Sequence, residues 1–188
     1  DKSASVTGGR ITICNGTTMG IVNQIENIDA AKGADGRSFL GVDEHKAYVS
    51  TSNGIYVLDL NTEEITGEVT MDGNSIVGEC GNMVRKDDRV YAVSFSKGIC
   101  VINPETNEVE NVISGSFGSI VMSKDGNLWV SLFQDSADAG LAKLNLEEEK
   151  VEKLSLPEGI GNPVCTYLWG AWTPDALCAS AKENALYW

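Results

Sequence analysis

Gly54-Ile-Tyr-Val-Leu-Asp59-Leu-Asn-Thr62 reads as a glycine, a short apolar run, an acidic residue and a polar turn. The same frame returns as Gly98-Ile-Cys-Val-Ile-Asn103-Pro-Glu-Thr106 and as Gly140-Leu-Ala-Lys-Leu-Asn145-Leu-Glu-Glu148. Arg10-Ile-Thr-Ile-Cys-Asn15-Gly-Thr-Thr18 fits it, and so does the stub Asn184-Ala-Leu-Tyr-Trp188. The frames start at 10, 54, 98, 140 and 184, so the steps are 44, 44, 42 and 44. A period this steady marks a repeat architecture, in which each unit buries its faces against its neighbours.

A second motif precedes the first. Ala47-Tyr-Val-Ser50, Tyr91-Ala-Val-Ser94, Leu128-Trp-Val-Ser131 and Leu177-Cys-Ala-Ser180 are apolar runs that end in serine. A turn stands before each: Val42-Asp-Glu-His45, Arg85-Lys-Asp-Asp88, Ser123-Lys-Asp-Gly126 and Thr173-Pro-Asp175. Asp-Gly between apolar runs is a hairpin signal, because the turn needs positive φ. Each unit therefore holds four short strands. Strand A is a run such as 38–40 or 118–122, B ends in serine, C is led by glycine, and D follows the polar turn. The D strands Glu64-Ile-Thr-Gly-Glu-Val69, Glu108-Val-Glu-Asn-Val-Ile113 and Lys150-Val-Glu-Lys-Leu-Ser155 alternate apolar and polar residues. That period of two belongs to a strand with one wet face, as at the outside of a stack. Four strands in 40–45 residues is the size of a β-propeller blade. The expected fold is all-β, a propeller of four-stranded antiparallel blades.

The phase of the frames sets the domain organisation. A partial blade covers 10–28, whole blades about 36–70, 80–113 and 117–156, and an incomplete blade 164–188, all in one propeller region over 1–188. This is about four and a quarter blades. The favoured expectation is a portion of a larger, seven-bladed ring. The alternative is closure with four blades, which leaves a redundant C strand at Tyr187-Trp188. No signal peptide is read at Asp1, so the segment is taken as mature or excised.

Composition narrows the function classes. The 188 residues carry 14 Lys+Arg and 27 Asp+Glu, a net charge of −13. That charge repels phosphate backbones, so no nucleic-acid partner is expected. No apolar run approaches the roughly 20 residues that span a bilayer. The single histidine, His45, falls in an A–B turn and reads as a solvated residue. Neither the 134–138 loop (Gln-Asp-Ser-Ala-Asp) nor the Glu147–Lys150 run has metal-site spacing, so no metal and no cofactor is expected. The five cysteines form no Cys-x-x-Cys pair. Cys14, Cys100 and Cys178 replace apolar residues of sister repeats and read as buried thiols. Cys80 and Cys165 fall in D–A loops of separate blades, too far apart to pair easily.

The Gly-Ile-Tyr-Val-Leu-Asp-Leu-Asn-Thr-Glu-Glu pattern at 54–64 resembles the YncE-like, surface-layer-type propeller repeats of gut Gram-negative bacteria. The resemblance covers nearly the whole chain and carries no functional residue. It implies a secreted, periplasmic or cell-surface protein, often a lipoprotein, in a family that includes cobalamin-binding surface proteins. Ser123-Lys-Asp-Gly-Asn-Leu-Trp129 also resembles the Asp-box of sialidases, but lacks the residue that box places between Asp and Gly, so it reads as a plain hairpin.

In a propeller the D–A and B–C connections share one face, and ligands generally bind there. These connections are the longer ones in this chain: 28–37, 72–81, 114–118 and 157–166, with B–C loops such as 133–138. Function tends to sit on long loops held by a rigid scaffold. The candidate ligand-binding residues on this face are Asn74, Asn82, Phe95, Phe117, Phe133, Gln134, Asp135, Tyr167 and Trp169. Aromatics with a few polar groups suit a partly flat organic ligand or a protein partner. The competing reading is that Phe39, Phe117, Trp169 and Trp172 pack between blades. The expected function is non-enzymatic binding of a small molecule, such as a corrinoid, or of an outer-membrane partner. A lyase- or glycosidase-type enzyme using loop carboxylates and a purely structural interaction module are the alternatives.

Overall fold

A computed structural model describes residues 9–14, 17–28, 36–76, 78, 80–132, 140–160, 166–168, 171–173, 177–180 and 182–187. Every element among the described residues is a strand. β1 (Gly9–Cys14) and β2 (Ile21–Ile28) form an antiparallel pair. Blade one is β3 (Gly36–Gly41), β4 (Lys46–Thr51), β5 (Gly54–Asp59) and β6 (Glu64–Glu68), paired in that order. Two short strands follow, β7 (Thr70–Met71) and β8 (Asn74–Ser75). Blade two is β9 (Cys80–Lys86), β10 (Arg89–Ser94), β11 (Gly98–Asn103) and β12 (Glu108–Ile113). Blade three is β13 (Phe117–Met122), β14 (Leu128–Leu132), β15 (Gly140–Asn145) and β16 (Lys150–Lys153). The last elements are β17 (Thr166–Leu168), β18 (Ala171–Thr173), β19 (Cys178–Ala179) and β20 (Leu186–Tyr187). Three four-stranded antiparallel blades are thus in place, as the repeat requires.

The repeat motif is explained residue by residue. The acidic or amide residue that ends each C strand folds the C–D turn with its own side chain. Asp59 Oδ1 accepts the N–H groups of Asn61 (2.7 Å) and Thr62 (3.0 Å). Asn103 Oδ1 accepts Glu105 N–H (2.9 Å), and Asn145 Oδ1 accepts those of Glu147 and Glu148 (3.1 and 3.2 Å). This is the Asx turn, which only a short side-chain oxygen can make. The leading glycine answers a steric demand. Gly98 has φ 118°, and a Cβ there would lie 2.3 Å from the Ile113 carbonyl oxygen. Gly54 has φ 146°, with the Ile76 carbonyl oxygen at 2.6 Å from the same virtual atom.

The inner strands are buried and the outer ones wet. β4, β5 and β10 are buried at nearly every position, while β6, β12 and β16 alternate. The core lies between blades. Tyr48, Ile55 and Val57 of blade one pack with Met83, Val90, Ala92 and Cys100 of blade two. Tyr91, Val93 and Ile99 of blade two pack with Phe117, Ile120, Leu128 and Val130 of blade three. Tyr48 and Asn82 make polar links across these joints. Tyr48 O–H donates to Asn107 Oδ1 (2.8 Å), and burial pushes its pKa above the usual tyrosine value. The Asn82 amide accepts Ile120 N–H (2.9 Å) and donates to Ile120 C=O (2.5 Å). It thereby joins two inner strands in the manner of a backbone.

Three connections differ from expectation. The 72–81 segment is not a plain loop, because β7 and β8 make a ribbon. β7 pairs in parallel with β12, extending blade two to six strands. Where the last A strand is expected, β17 and β18 pair antiparallel, with Tyr167 and Trp172 as backbone partners in the register. The last unit is also shifted in phase. Ser180 N–H bonds Ala185 C=O (3.0 Å), as Val42 bonds Lys46 (2.8 Å) and Ser123 bonds Asn127 (2.9 Å) in A–B turns. Ser180 Oγ accepts the N–H groups of Lys182 and Glu183 (3.2 and 2.9 Å), the role Asp43 plays for His45 and Lys46. This turn sits beside the A–B turn of blade three, where Lys124 reaches Lys182 C=O (2.9 Å) and Asn184 reaches Asp125 (3.2 Å). β19 and β20 are therefore an A–B pair, not B–C, and Tyr187 belongs to a B strand. Among the described residues, Leu186–Tyr187 are thus the B strand of this pair, where the sequence leads one to expect a C strand.

Replacing Gly98 by Ala should lower stability by about 1–3 kcal/mol, the cost of forcing a side chain into this backbone region. Gly41→Ala, where a Cβ meets nothing within 4 Å, should change it by less than about 1 kcal/mol. Urea titrations of the two variants make the comparison.

Candidate functional site

On the D–A/B–C face the joint of blades one and two carries a cation–aromatic pair. The Arg37 guanidinium carbon stands 6.0 Å from the centre of the Phe95 ring. Arg37 comes from inner strand β3 and Phe95 from the connection after β10. The ring is half-buried: a Cβ on Gly81 would be 3.3 Å from it, and it packs against the core cluster that blades two and three share. Ser94 Oγ and Ser96 Oγ approach to 3.5 Å beside it. Below the pair lies Cys80, whose thiol burial pushes up to about 12, with Cys100 adding to that and Arg37 opposing. A cation stacked on an aromatic ring next to hydroxyls can hold a flat organic group that carries negative charge.

A second hollow of about 410 Å³ opens at the joint of blades two and three. Ser114, Ser116, Phe117, Leu132, Val151 and Lys153 line it. The segment 133–139, which holds Phe133, Gln134 and Asp135, leaves directly from Leu132 and lies outside the described residues.

The structure separates the candidate residues. Phe95 lies 6.0 Å from Arg37 of blade one and packs against the core of blades two and three. Phe117 is 1% exposed within the core, so packing dominates its role. Asn82 spends its amide on Ile120. Asn74 is exposed on the β7–β8 ribbon at the outer edge of blade two, its amide donating to Asp72 C=O (3.1 Å). Tyr167 lies on β17, and Trp169 falls outside the described residues. Arg37 was not singled out in the sequence. A strand-borne arginine has no local signature, and only the fold brings it over Phe95.

The opposite face is built of turns. Lys46 donates to Pro104 C=O, Arg85 to Val42 C=O and Lys86 to Gly126 C=O, so these cations tie neighbouring blades together. His45 is exposed there, 3.3 Å from Glu44. Among the described residues no group of three or more His, Cys, Asp or Glu could hold a metal ion. No helix among them is long and apolar enough to cross a membrane. The cysteine expectation needs one correction. Cys80 and Cys100 are buried, the latter pushed up to about 11 by burial, but Cys178 is exposed. It stands on an A strand packed against β13, not on an interior B strand.

These features define a β-propeller of four-stranded antiparallel blades. Within that class, the chain belongs to the family described as a domain of unknown function, DUF5074, whose model matches residues 3–188. No curated protein matches it in sequence. Among solved structures it is similar to the extracellular domain of BT3049 from B. thetaiotaomicron, described as a hybrid two component system. That match has 18% identity over 75% of this chain and 20% of that one, with a TM-score of 0.56. A protein of unknown function from Bacteroides caccae matches at 19% identity over 85% of this chain and 58% of that one, TM-score 0.51. BamB from Moraxella catarrhalis matches at 20% identity over 84% and 50%, TM-score 0.50. The chain spans about a fifth of the length of the first-matched structures. At these identities the likeness is one of fold.

Phe117→Ala should cost about 3–5 kcal/mol of stability, the range for a buried phenylalanine, as read by urea denaturation. The Asp125 carboxyl is held at about 2, first by the Ser123 hydroxyl, with Asn184 and Asn127 also bonded and desolvation opposing. Its lowered value means a contribution present above 3.8 and lost as pH falls towards about 2. Asp125→Asn should therefore flatten the acid limb of the stability curve between those values, as measured by thermal melts across pH.

Proposed function

We propose that this chain is a non-enzymatic, ligand-binding propeller module that works outside the cytoplasm. The observation that carries the reading is the Arg37–Phe95 pair on the long-loop face of an otherwise strongly acidic protein. A positive charge held against a ring favours a partly flat organic anion over a polyanion, which the net charge of −13 repels. The similarity to structures titled as extracellular domains supports the compartment. The resemblance to YncE-like surface propellers makes a corrinoid, or docking to an outer-membrane protein, the first ligands to test.

The test is a thermal-shift screen of the protein with cyanocobalamin, aromatic carboxylates, sugars and metal salts, followed by calorimetry on any hit. A ligand at about 100 times its Kd should add roughly 2.7 kcal/mol to stability. Phe95→Ala and Arg37→Gln should each weaken binding about tenfold or more, an effect of at least about 1.4 kcal/mol. Unchanged affinity in both variants would remove this face as the site.

A further inference from the structure

The joints between blades are not filled equally, and the connection that leads out of each blade decides it. After blade one the chain adds Val69 and Ile76 to the core of the first joint, 0% and 1% exposed, with Met71 packed against them. After blade two, Ile113 takes the place of Val69, each bonded to the residue that follows the leading glycine of its C strand. The next three residues are Ser114-Gly115-Ser116, which bring no apolar side chain. The hollow of about 410 Å³ lies there. Its floor is Phe117, Leu132 and Val151, which belong to the core cluster of blades two and three or pack against it. Its exposed rim is Ser114, Ser116 and Lys153.

The polar groups of the rim are set in place and unused. A Cβ on Gly115 would stand 2.5 Å from the Phe117 ring, so only a glycine lets the turn lie on that ring with a serine on either side. Side chains alternate along β16, which puts Lys153 on the face of Val151, toward the hollow, and Glu152 on the other. Glu152 there accepts the Asn145 side-chain amide (2.9 Å). Among the described residues no carboxylate pairs with Lys153, and neither serine hydroxyl is bonded. An ammonium and two hydroxyls without protein partners thus border an apolar floor whose contact with water is unfavourable.

We propose that this hollow is a binding site of its own, which takes an alkyl carboxylate. Lys153 Nζ and the hydroxyls of Ser114 and Ser116 donate to the carboxylate, and the chain lies on Phe117, Leu132 and Val151. The site shares no residue with the Arg37–Phe95 pair and does not depend on it. Its volume is near the lower end of the range for small-molecule sites, so it accepts a chain of limited length.

The experiment is calorimetric titration of the 188-residue chain with straight-chain carboxylates from butanoate to decanoate, and with the alcohols of the same lengths. Affinity for the carboxylates should rise about fourfold for each methylene added, the gain from burying one such group, and level off once the hollow is full. The alcohols should bind about tenfold or more weakly, because they lack the charge-assisted bonds. Lys153→Glu, at an exposed position, should leave circular dichroism unchanged and weaken octanoate binding about tenfold or more. Lys150→Glu makes the same change of charge on the opposite face of β16, where the lysine stands 3.7 Å from Glu148, and should alter affinity by less than about twofold. No binding by any carboxylate, affinity that does not rise with chain length, or equal losses in the two lysine variants would overturn the proposal. Octanoate that binds Lys153→Glu as tightly as the parent chain would overturn it too, since the ligand then sits elsewhere.

Discussion

Where Met83, Ala92 and Cys100 of one sheet meet Tyr48, Ile55 and Val57 of the sheet before it, the molecule gains most of its order. A four-stranded sheet in this chain is apolar on both faces through its B and C strands, so no blade can satisfy itself. Stacking is the only arrangement that removes both faces from water. Other features serve that contact. Asn82 clamps two inner strands, Tyr48 finds an amide across the joint, and the turn cations reach carbonyls of the adjoining blade. The loop face inherits its rigidity from the same source, since Arg37 and Phe95 come from different blades.

Much of this was legible in the sequence because the repeat writes its own chemistry. The Asp59, Asn103 and Asn145 turns and the glycine-led strands are local devices, and local devices leave local signatures. The alternation of the D strands reported their wet side for the same reason. The phase of the last unit is not legible there, because Leu177-Cys-Ala-Ser180 looks like a B strand when only apolar character is compared. What decides the matter is the pair of N–H groups that Ser180 caps, together with the contact of the following turn with Asp125. The extra β17–β18 hairpin lengthens that connection and happens to restore a spacing of 44 to the wrong frame.

The candidate site was less legible than the fold. Aromatic residues near long loops were visible, but their burial was not. Phe95 and Phe117 look alike in sequence, yet one is half-buried at the margin of a core, near an arginine, and the other lies fully inside the same core. Asn82 looked like a binding amide because its partner, a backbone 38 residues away, has no sequence signature. Arg37 had none either. Long-range pairings of this sort follow from the stacking of blades and cannot be read from any single repeat.

The β7–β8 ribbon gives the series of blades an uneven grain. It follows blade one in the chain and pairs with the outer strand of blade two, so a segment continuous with blade one belongs to the sheet of blade two. The described link from blade two to blade three is the short 114–116 turn, without such a ribbon. In a linear array, stability is a sum of unit terms and neighbour couplings, and here one coupling carries backbone bonds that the next lacks. Amide protons of the first two blades should therefore open together as one cooperative block, with the third exchanging on its own schedule.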